Sequence, residues 1–325
     1  MIITLKDTTS SEIASRIIAL REEGGSATLA RVLTLIVVVS DALDVERAIE
    51  ISDAASREHP CRVIVVVDSG STDGPARFNA QIRVGDSAGA SDVVVLEPRG
   101  AAATDLASLV APLLLPDTPV VTYWPDTPPS SPSNHPLGSL AVRRITDSRS
   151  AECPMDAIRA LGDVYAPGDT DLAWSGVTLW RALLATIVED FDMVPERIRV
   201  TGHATHPSSF LIAAWLNYKL GIPTAHEVDP DAQTITGVHF EFSDGREVAL
   251  TRRAGSSVAH LQRSGFDTAF VNLPRRAVQD CLMEELRRLD PDIFYGSILA
   301  ALDQIPLVPA DTVKQDATAQ EGFGQ

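Results

Sequence analysis

Leu29-Ala-Arg-Val-Leu-Thr-Leu-Ile-Val-Val-Val39 and Cys61-Arg-Val-Ile-Val-Val-Val67 decide the fold. Each is a continuous apolar run, too short and too β-branched for a helix, and each has the length of a strand buried on both faces. Between them Asp41 stands where a helix cap belongs, ahead of a segment carrying Ile49, Ile51 and Ala55, and His59-Pro60 breaks that segment before the second run. The pattern is strand, helix, strand. Toward the N-terminus, Thr9 and Glu12 have capping-box spacing, which predicts a helix over about residues 10–22 with Ile13, Ile17, Ile18 and Leu20 as its apolar face and Gly24-Gly25 as its stop. Toward the C-terminus, Phe78 to Val84, Asp92 to Leu96 and Val120 to Trp124 read as further strands, with a helix at about 105–115. The fold class is therefore α/β, with a mixed sheet flanked by helices in the N-terminal module.

Five prolines between Trp124 and Pro136 exclude regular structure there, so residues 124–137 form a long loop. A short helix over Asp156 to Leu161 and the breaker Ala166-Pro-Gly-Asp169 lead into a second α/β module. It is expected to hold an apolar helix from Leu172 to Phe191, a strand at Arg197 to Gly202 feeding a helix at Ser208 to Leu220, and an antiparallel meander. The meander comprises Thr234 to Phe242 and Glu247 to Arg253, joined by Ser243-Asp-Gly245, with Val258 to Arg263 and Ala269 to Leu273 added. Helices near 275–289 and 292–302 close it. The expected organisation is an N-terminal strand and helix over 1–25, a first domain over 26–166, a second over 167–305 and a disordered polar tail over 306–325.

Composition excludes several classes of function. With 44 acidic against 27 basic residues the formal charge is −17, and a nucleic-acid binder needs the opposite sign at domain scale. No apolar stretch approaches the 18 or so residues that span a bilayer, and Met1 to Glu12 lacks the pattern of a signal peptide, so the expected location is cytoplasmic. Cys61, Cys153 and Cys281 are isolated, which argues against disulfides and a cysteine zinc site, and Cys61 reads as an apolar filler.

Candidate chemistry is sparse. Asp68-Ser-Gly-Ser-Thr-Asp-Gly74 is rich in Gly and Ser, but a strand rather than a helix follows it, so it reads as a turn and not a phosphate loop. Pro207 interrupts any helix carrying both imidazoles of His203-Ala-Thr-His206; helix-start chemistry around His206, Ser208 and Ser209, with a weak anion site as the alternative, is the better reading. Asp169, Asp171, Asp190 and Asp192 flank a helix, where the macrodipole accounts for the first pair and solvent for the second. Four arginine pairs, Arg143-Arg144, Arg252-Arg253, Arg275-Arg276 and Arg287-Arg288, could clamp a phosphate or carboxylate, although adjacent residues diverge on any regular element. Trp180 and Trp215 belong to helix cores; Trp124, beside Pro125, and Trp174, beside Ser175-Gly176, are the better candidates for exposed anchors, although core is the expected role of each. No catalytic or nucleotide fingerprint is present, so an enzyme reading has no motif behind it.

The order of segments is more specific than any one of them. Asp7-Thr-Thr-Ser-Ser-Glu12, Ala30 to Val38, His59 to Val66, Tyr123-Trp-Pro125, Gly168-Asp-Thr-Asp-Leu-Ala-Trp174 and Leu179-Trp-Arg181 together resemble the OpcA family of glucose-6-phosphate dehydrogenase assembly proteins, from about residue 2 to residue 305. The resemblance implies a non-catalytic protein without a cofactor of its own, which binds the oligomeric dehydrogenase and raises its activity. Trp124, Pro125, Trp174, Arg252 and Arg253 are the candidate partner contacts. The alternative is a sugar-phosphate sensor or enzyme with its site at a cleft between the two α/β modules, using Arg252, Arg253 and the His206 to Ser209 helix start.

Overall fold

The computed structural model describes residues 1–24, 31–84 and 92–309. In chain order its principal elements begin with β1 (Ile2–Leu5), α1 (Ser10–Gly24), β2 (Leu33–Val39), α2 (Val45–Ser56), β3 (Cys61–Val67), β4 (Arg77–Arg83) and β5 (Asp92–Arg99). There follow α3 (Leu106–Val110), β6 (Val120–Trp124), β7 (Arg143–Thr146), α4 (Pro154–Asp163), β8 (Asp169–Asp171), α5 (Leu172–Gly176), α6 (Thr178–Glu189), β9 (Arg197–Gly202) and α7 (Pro207–Leu220). The last are β10 (Thr224–Val228), β11 (Ile235–Glu241), β12 (Glu247–Thr251), β13 (Val258–Arg263), β14 (Ala269–Asn272), α8 (Val278–Arg287), α9 (Ile293–Ala300) and β15 (Leu307–Val308).

The chain divides into two compact units, residues 1–176 with 276–296 and residues 177–275 with 297–325. In the first, the sheet order is β1-β4-β5-β3-β2-β6-β7-β8, parallel from β5 to β8 and antiparallel at β1 and β4. Every residue of β2 and β3 is buried, as continuous apolar runs in a parallel sheet should be. Their side chains alternate between two cores. Leu35 and Val37 join α2 and α8 through Ile49, Ile51 and Leu282, while Ile36 and Val38 meet α1 and α3 through Ile13, Ile17 and Val110. The capping box is formed: Thr9 Oγ1 accepts from the Glu12 N–H at 3.2 Å and Glu12 Oε2 accepts from the Thr9 N–H at 3.0 Å.

The second unit is built on the sheet β14-β13-β12-β11-β9-β10-β15, antiparallel on its meander side and parallel where β10 meets β9 and β15. The helix α7 ends in a left-handed Gly221 whose N–H bonds to the Asn217 carbonyl, a glycine stop of the expected kind.

Three features depart from the expected organisation. The strand β7 occupies Arg143–Thr146, a segment that apolar patterning does not mark as a strand because two arginines open it. Together with β8 it extends the first sheet in parallel, so the compact units part at Gly176/Val177 rather than at the expected 166/167 boundary, and α8 returns to the first unit. Leu307 and Val308, expected in the tail, pair with β10; the rest of that tail, from residue 310, and the Gly25 of the helix stop lie outside the described residues.

Candidate functional site

Polar side chains gather at two places, one in each unit. The first is the outer edge of the first sheet, built from Arg143–Thr146 and Gly168–Trp174. Gly168 sits at φ +97°, and a Cβ there would lie 2.6 Å from the Val142 carbonyl oxygen, so only glycine lets the two strands approach. Adjacent arginines on β7 point to opposite faces. Arg143 reaches the carboxylate of Glu285 and donates to the Asp290 carbonyl at 2.8 Å. Arg144 reaches the Asp169 carboxylate and donates to the carbonyls of Ala141 at 2.9 Å and Pro167 at 2.5 Å. All four charged residues are buried.

Asp171, wholly buried, takes four donors: Thr146 Oγ1 at 2.7 Å, the Ser148 N–H at 2.8 Å, Ser148 Oγ at 2.9 Å and the Ala173 N–H at 2.8 Å. Burial and the neighbouring Asp147 carboxylate push its pKa up to about 6 against those donors. Asp147 in turn holds Arg149 in a two-point fork at 2.7 and 2.8 Å. Burial works to lower the Arg149 pKa, and Asp147 more than offsets it. Burial also raises the Cys281 thiol, with Arg149 opposing. Trp174 Nε1 donates to Asp292 Oδ2 at 2.8 Å, and its ring lies 6.0 Å from that of Tyr295. The segment Gly168 to Trp174 is thus a strut: it ties β7, β8, α5 and the start of α9 by buried polar bonds, and its carboxylates are occupied in holding the fold.

Trp124 and Trp174 thus take the core role and not that of exposed anchors, and with Pro125 they offer no exposed surface as partner contacts. Trp174 is 2% exposed and Trp124 3%, and Pro125 is buried as well. The 125–142 loop folds over Trp124: His135 meets its ring edge-on at 5.3 Å, and Leu137 and Ala141 share its core. A proline-rich loop was legible; that it would cover the tryptophan preceding it was not.

In the second unit, His206 caps α7, its Nδ1 accepting from the Ser208 N–H at 3.2 Å, while Ser209 Oγ donates to the His206 carbonyl at 3.1 Å. Ser208 and Ser209 are buried, and these bonds serve the helix start. Nearby, His226 is wholly buried against Phe210, rings stacked at 4.2 Å, with neither ring nitrogen hydrogen-bonded; burial lowers its pKa to about 4. Among the described residues no group of His, Cys, Asp and Glu is arranged to hold a metal.

Arg252 and Arg253 lie elsewhere, on a concavity of about 380 Å³ that also takes in Arg275, Thr234, Thr236 and Ser257. Arg252 is 8% exposed, donates to the Leu273 carbonyl at 2.7 Å and lies over the Trp180 ring at 5.3 Å. The helix start at 206–209 does not line this concavity, so the two halves of the expected sugar-phosphate constellation are not brought together. A second hollow, of about 280 Å³, has Phe191, Phe242 and Phe266 in its wall and the ion pairs Arg246–Asp192 (3.2 Å) and Arg263–Asp190 (3.1 Å) around them. Phe266 is 77% exposed, and Phe270, on the edge strand β14, is 70% exposed. Sequence patterning does not single these two out, because nothing in a meander's alternation marks β14 as the sheet's edge and Phe266 lies in the turn between β13 and β14.

The class is a two-unit α/β protein, the first unit tied by buried ion pairs and the second carrying exposed aromatic groups. Residues 52–163 match the family described as the glucose-6-phosphate dehydrogenase subunit N-terminal domain, and residues 167–299 match the corresponding C-terminal domain. The chain belongs to this family, the OpcA proteins of glucose-6-phosphate dehydrogenase assembly. No curated protein matches it. Among solved structures, a 3-ketoreductase from Actinomadura kijaniata bound to NADP and TDP-benzene is 9% identical over 86% of this chain and 98% of its own, with a TM-score of 0.45. An NAD binding oxidoreductase from Klebsiella pneumoniae is 12% identical over 85% and 96%, with a TM-score of 0.42. Likeness at that level carries no argument about what this chain does.

Proposed function

We propose that this protein binds glucose-6-phosphate dehydrogenase directly and acts as a non-catalytic assembly factor that raises the dehydrogenase's activity. Family membership over both matched segments carries the reading. On it, the protein works in the cytoplasm and needs no cofactor; NADP and glucose 6-phosphate belong to the partner. Activation requires that the protein bind the partner's more active state more tightly than its less active one, because a ligand shifts an equilibrium only by that difference.

The proposed contact is the aromatic edge of the second unit. Phe266 and Phe270 are exposed aromatic groups of the kind that anchor interfaces, and the Phe191 and Phe242 hollow beside Phe266, with its ion pairs, has the apolar centre and polar surround of a docking surface. Titration of the purified protein into the dehydrogenase of the same organism, following NADPH formation and light scattering together, should give a saturable rise in activity with a heavier species. No change in either quantity would sink the assembly reading. Phe266→Ala with Phe270→Ala should weaken the complex about tenfold or more without lowering the melting temperature; unchanged binding would move the contact elsewhere and leave the assembly reading standing.

A further inference from the structure

Buried arginines in this protein follow a rule with one exception. Among the described residues, Arg62, Arg83, Arg143 and Arg144 are buried and each has a carboxylate partner, respectively Asp92, Glu46, Glu285 and Asp169. Arg252 is equally buried and has none. Its Nη1 donates to a backbone carbonyl and its guanidinium lies over Trp180, contacts that hold its position and leave its charge uncompensated. Arg253 and Arg275 share the concavity and likewise have no carboxylate within ion-pair distance among the described residues. Such a cluster stands out in a chain of net charge −17, where acidic residues outnumber basic ones, because no Asp or Glu lines the concavity. The cations also oppose one another: burial lowers the Arg252 pKa, and the charge of Arg275 lowers it further.

The surroundings hold this cluster in place. The Arg252 N–H bonds to the Thr236 carbonyl at 2.7 Å, the Leu273 N–H to the Ser257 carbonyl at 2.7 Å, and the Ser256 N–H to the Arg253 carbonyl at 3.1 Å, so both walls are pinned by backbone hydrogen bonds. The turn passes through Gly255 at φ +76°. A volume of about 380 Å³ falls in the range of small-molecule sites. Guanidinium forks match phosphate oxygens two at a time, and a phosphate monoester near neutral pH supplies the negative charge that three converging cations lack.

We propose that this concavity is a binding site for a phosphate-bearing small metabolite, whose phosphate group is held by Arg252, Arg253 and Arg275. The site stands apart from the assembly reading, and its test needs no dehydrogenase. Calorimetric titration of the full chain should show saturable binding of inorganic phosphate and, more tightly, of glucose 6-phosphate as a monoester probe, each raising the melting temperature. Glucose itself should not bind. Arg253→Ala with Arg275→Ala, both exposed positions, should lose about tenfold or more in affinity for both phosphate probes without lowering the melting temperature of the free protein; Arg252→Gln should lose more. Absence of saturable binding up to about 10 mM of either probe, at which affinity is negligible, or binding that the double variant leaves intact, would overturn the proposal. So would a poly-glutamate peptide that binds at these arginines where neither phosphate probe does, since the site would then read an acidic protein segment.

Discussion

The edge of the first sheet and the arginine concavity of the second unit handle buried charge in opposite ways. On β7 and β8 each buried cation meets a buried carboxylate, and Asp171 collects four hydrogen bonds. At Arg252 the charge is seated on an aromatic ring and a carbonyl, with two further arginines beside it. The first arrangement is closed and works as a fastening; the second is open on its anionic side. Burial alone therefore does not separate a structural polar group from a functional one. The presence or absence of its complement does.

The largest effect should come from opening the closed region. Removing one member of a buried ion pair strands the other, at about 3–5 kcal/mol. Glu285→Ala should lower stability by that amount in denaturant unfolding, because Arg143 stays buried with only the Asp290 carbonyl for company. A loss under about 1 kcal/mol, the scale of a solvent-exposed pair, would show that water reaches this edge and that the comparison is drawn too sharply.

Acid should separate the two units next. His226 is neutral in the fold with a pKa near 4, below its ordinary 6.5. Between those values the unfolded chain binds a proton that the folded one refuses. The stabilisation is complete above pH 6.5 and is lost as pH falls toward 4, by about 3 kcal/mol. Asp171 has the opposite sign: its folded pKa, near 6, lies above the ordinary 3.8, so acidification over that window favours the folded state. Segment-resolved hydrogen exchange at pH 7 and pH 5, corrected for intrinsic rates, should show protection falling at Thr224–Val228 while that at Asp169–Asp171 holds or rises. A His226→Leu variant should lose the acid sensitivity of β10. Parallel loss in both strands would mean that neither buried group governs its own unit.

Trp174 sharpens the comparison from a residue whose local sequence admits either a core or an anchor role. A tryptophan beside Ser175-Gly176 has the local look of a surface anchor. Its burial depends on Asp292, more than a hundred residues away, and on Tyr295, neither of which local pattern can supply. Trp174→Phe keeps an aromatic ring, smaller than the indole, and removes the 2.8 Å bond to Asp292; it should cost about 1–2 kcal/mol of stability or more while leaving partner binding unchanged. A selective binding defect at unchanged stability would restore the anchor reading.

What was legible in the sequence follows the range of the forces. Cys61–Val67, Val120–Trp124 and Arg197–Gly202 were readable to the residue because β-branched runs and breakers act locally. The capping box was readable because both of its bonds span three residues. Arg143–Thr146 was not, since two adjacent arginines look like surface until the partners Glu285 and Asp169 are known, and those lie 142 and 25 positions away. The candidate site divides along the same line. Arg252 and Arg253 could be singled out as a pair, but that Arg275 joins them, that His206 does not, and that no carboxylate answers Arg252 are facts of tertiary placement.

The smallest expected effect is the most telling for the open region. If Arg253 and Arg275 only decorate the surface, replacing either by alanine changes stability by less than about 0.5 kcal/mol, as for most exposed substitutions. If they crowd Arg252 in an unfilled anion site, removing Arg275 relieves a like-charge repulsion that nothing in the chain offsets, and the free protein becomes slightly more stable in low salt. Added phosphate should then stabilise the parent protein and not the variant, reversing their order. A surface arginine without a ligand gives no such crossing, so the melting temperatures of the parent and Arg275→Ala, measured with and without phosphate at fixed ionic strength, distinguish a charge held ready for a ligand from one merely left in solvent.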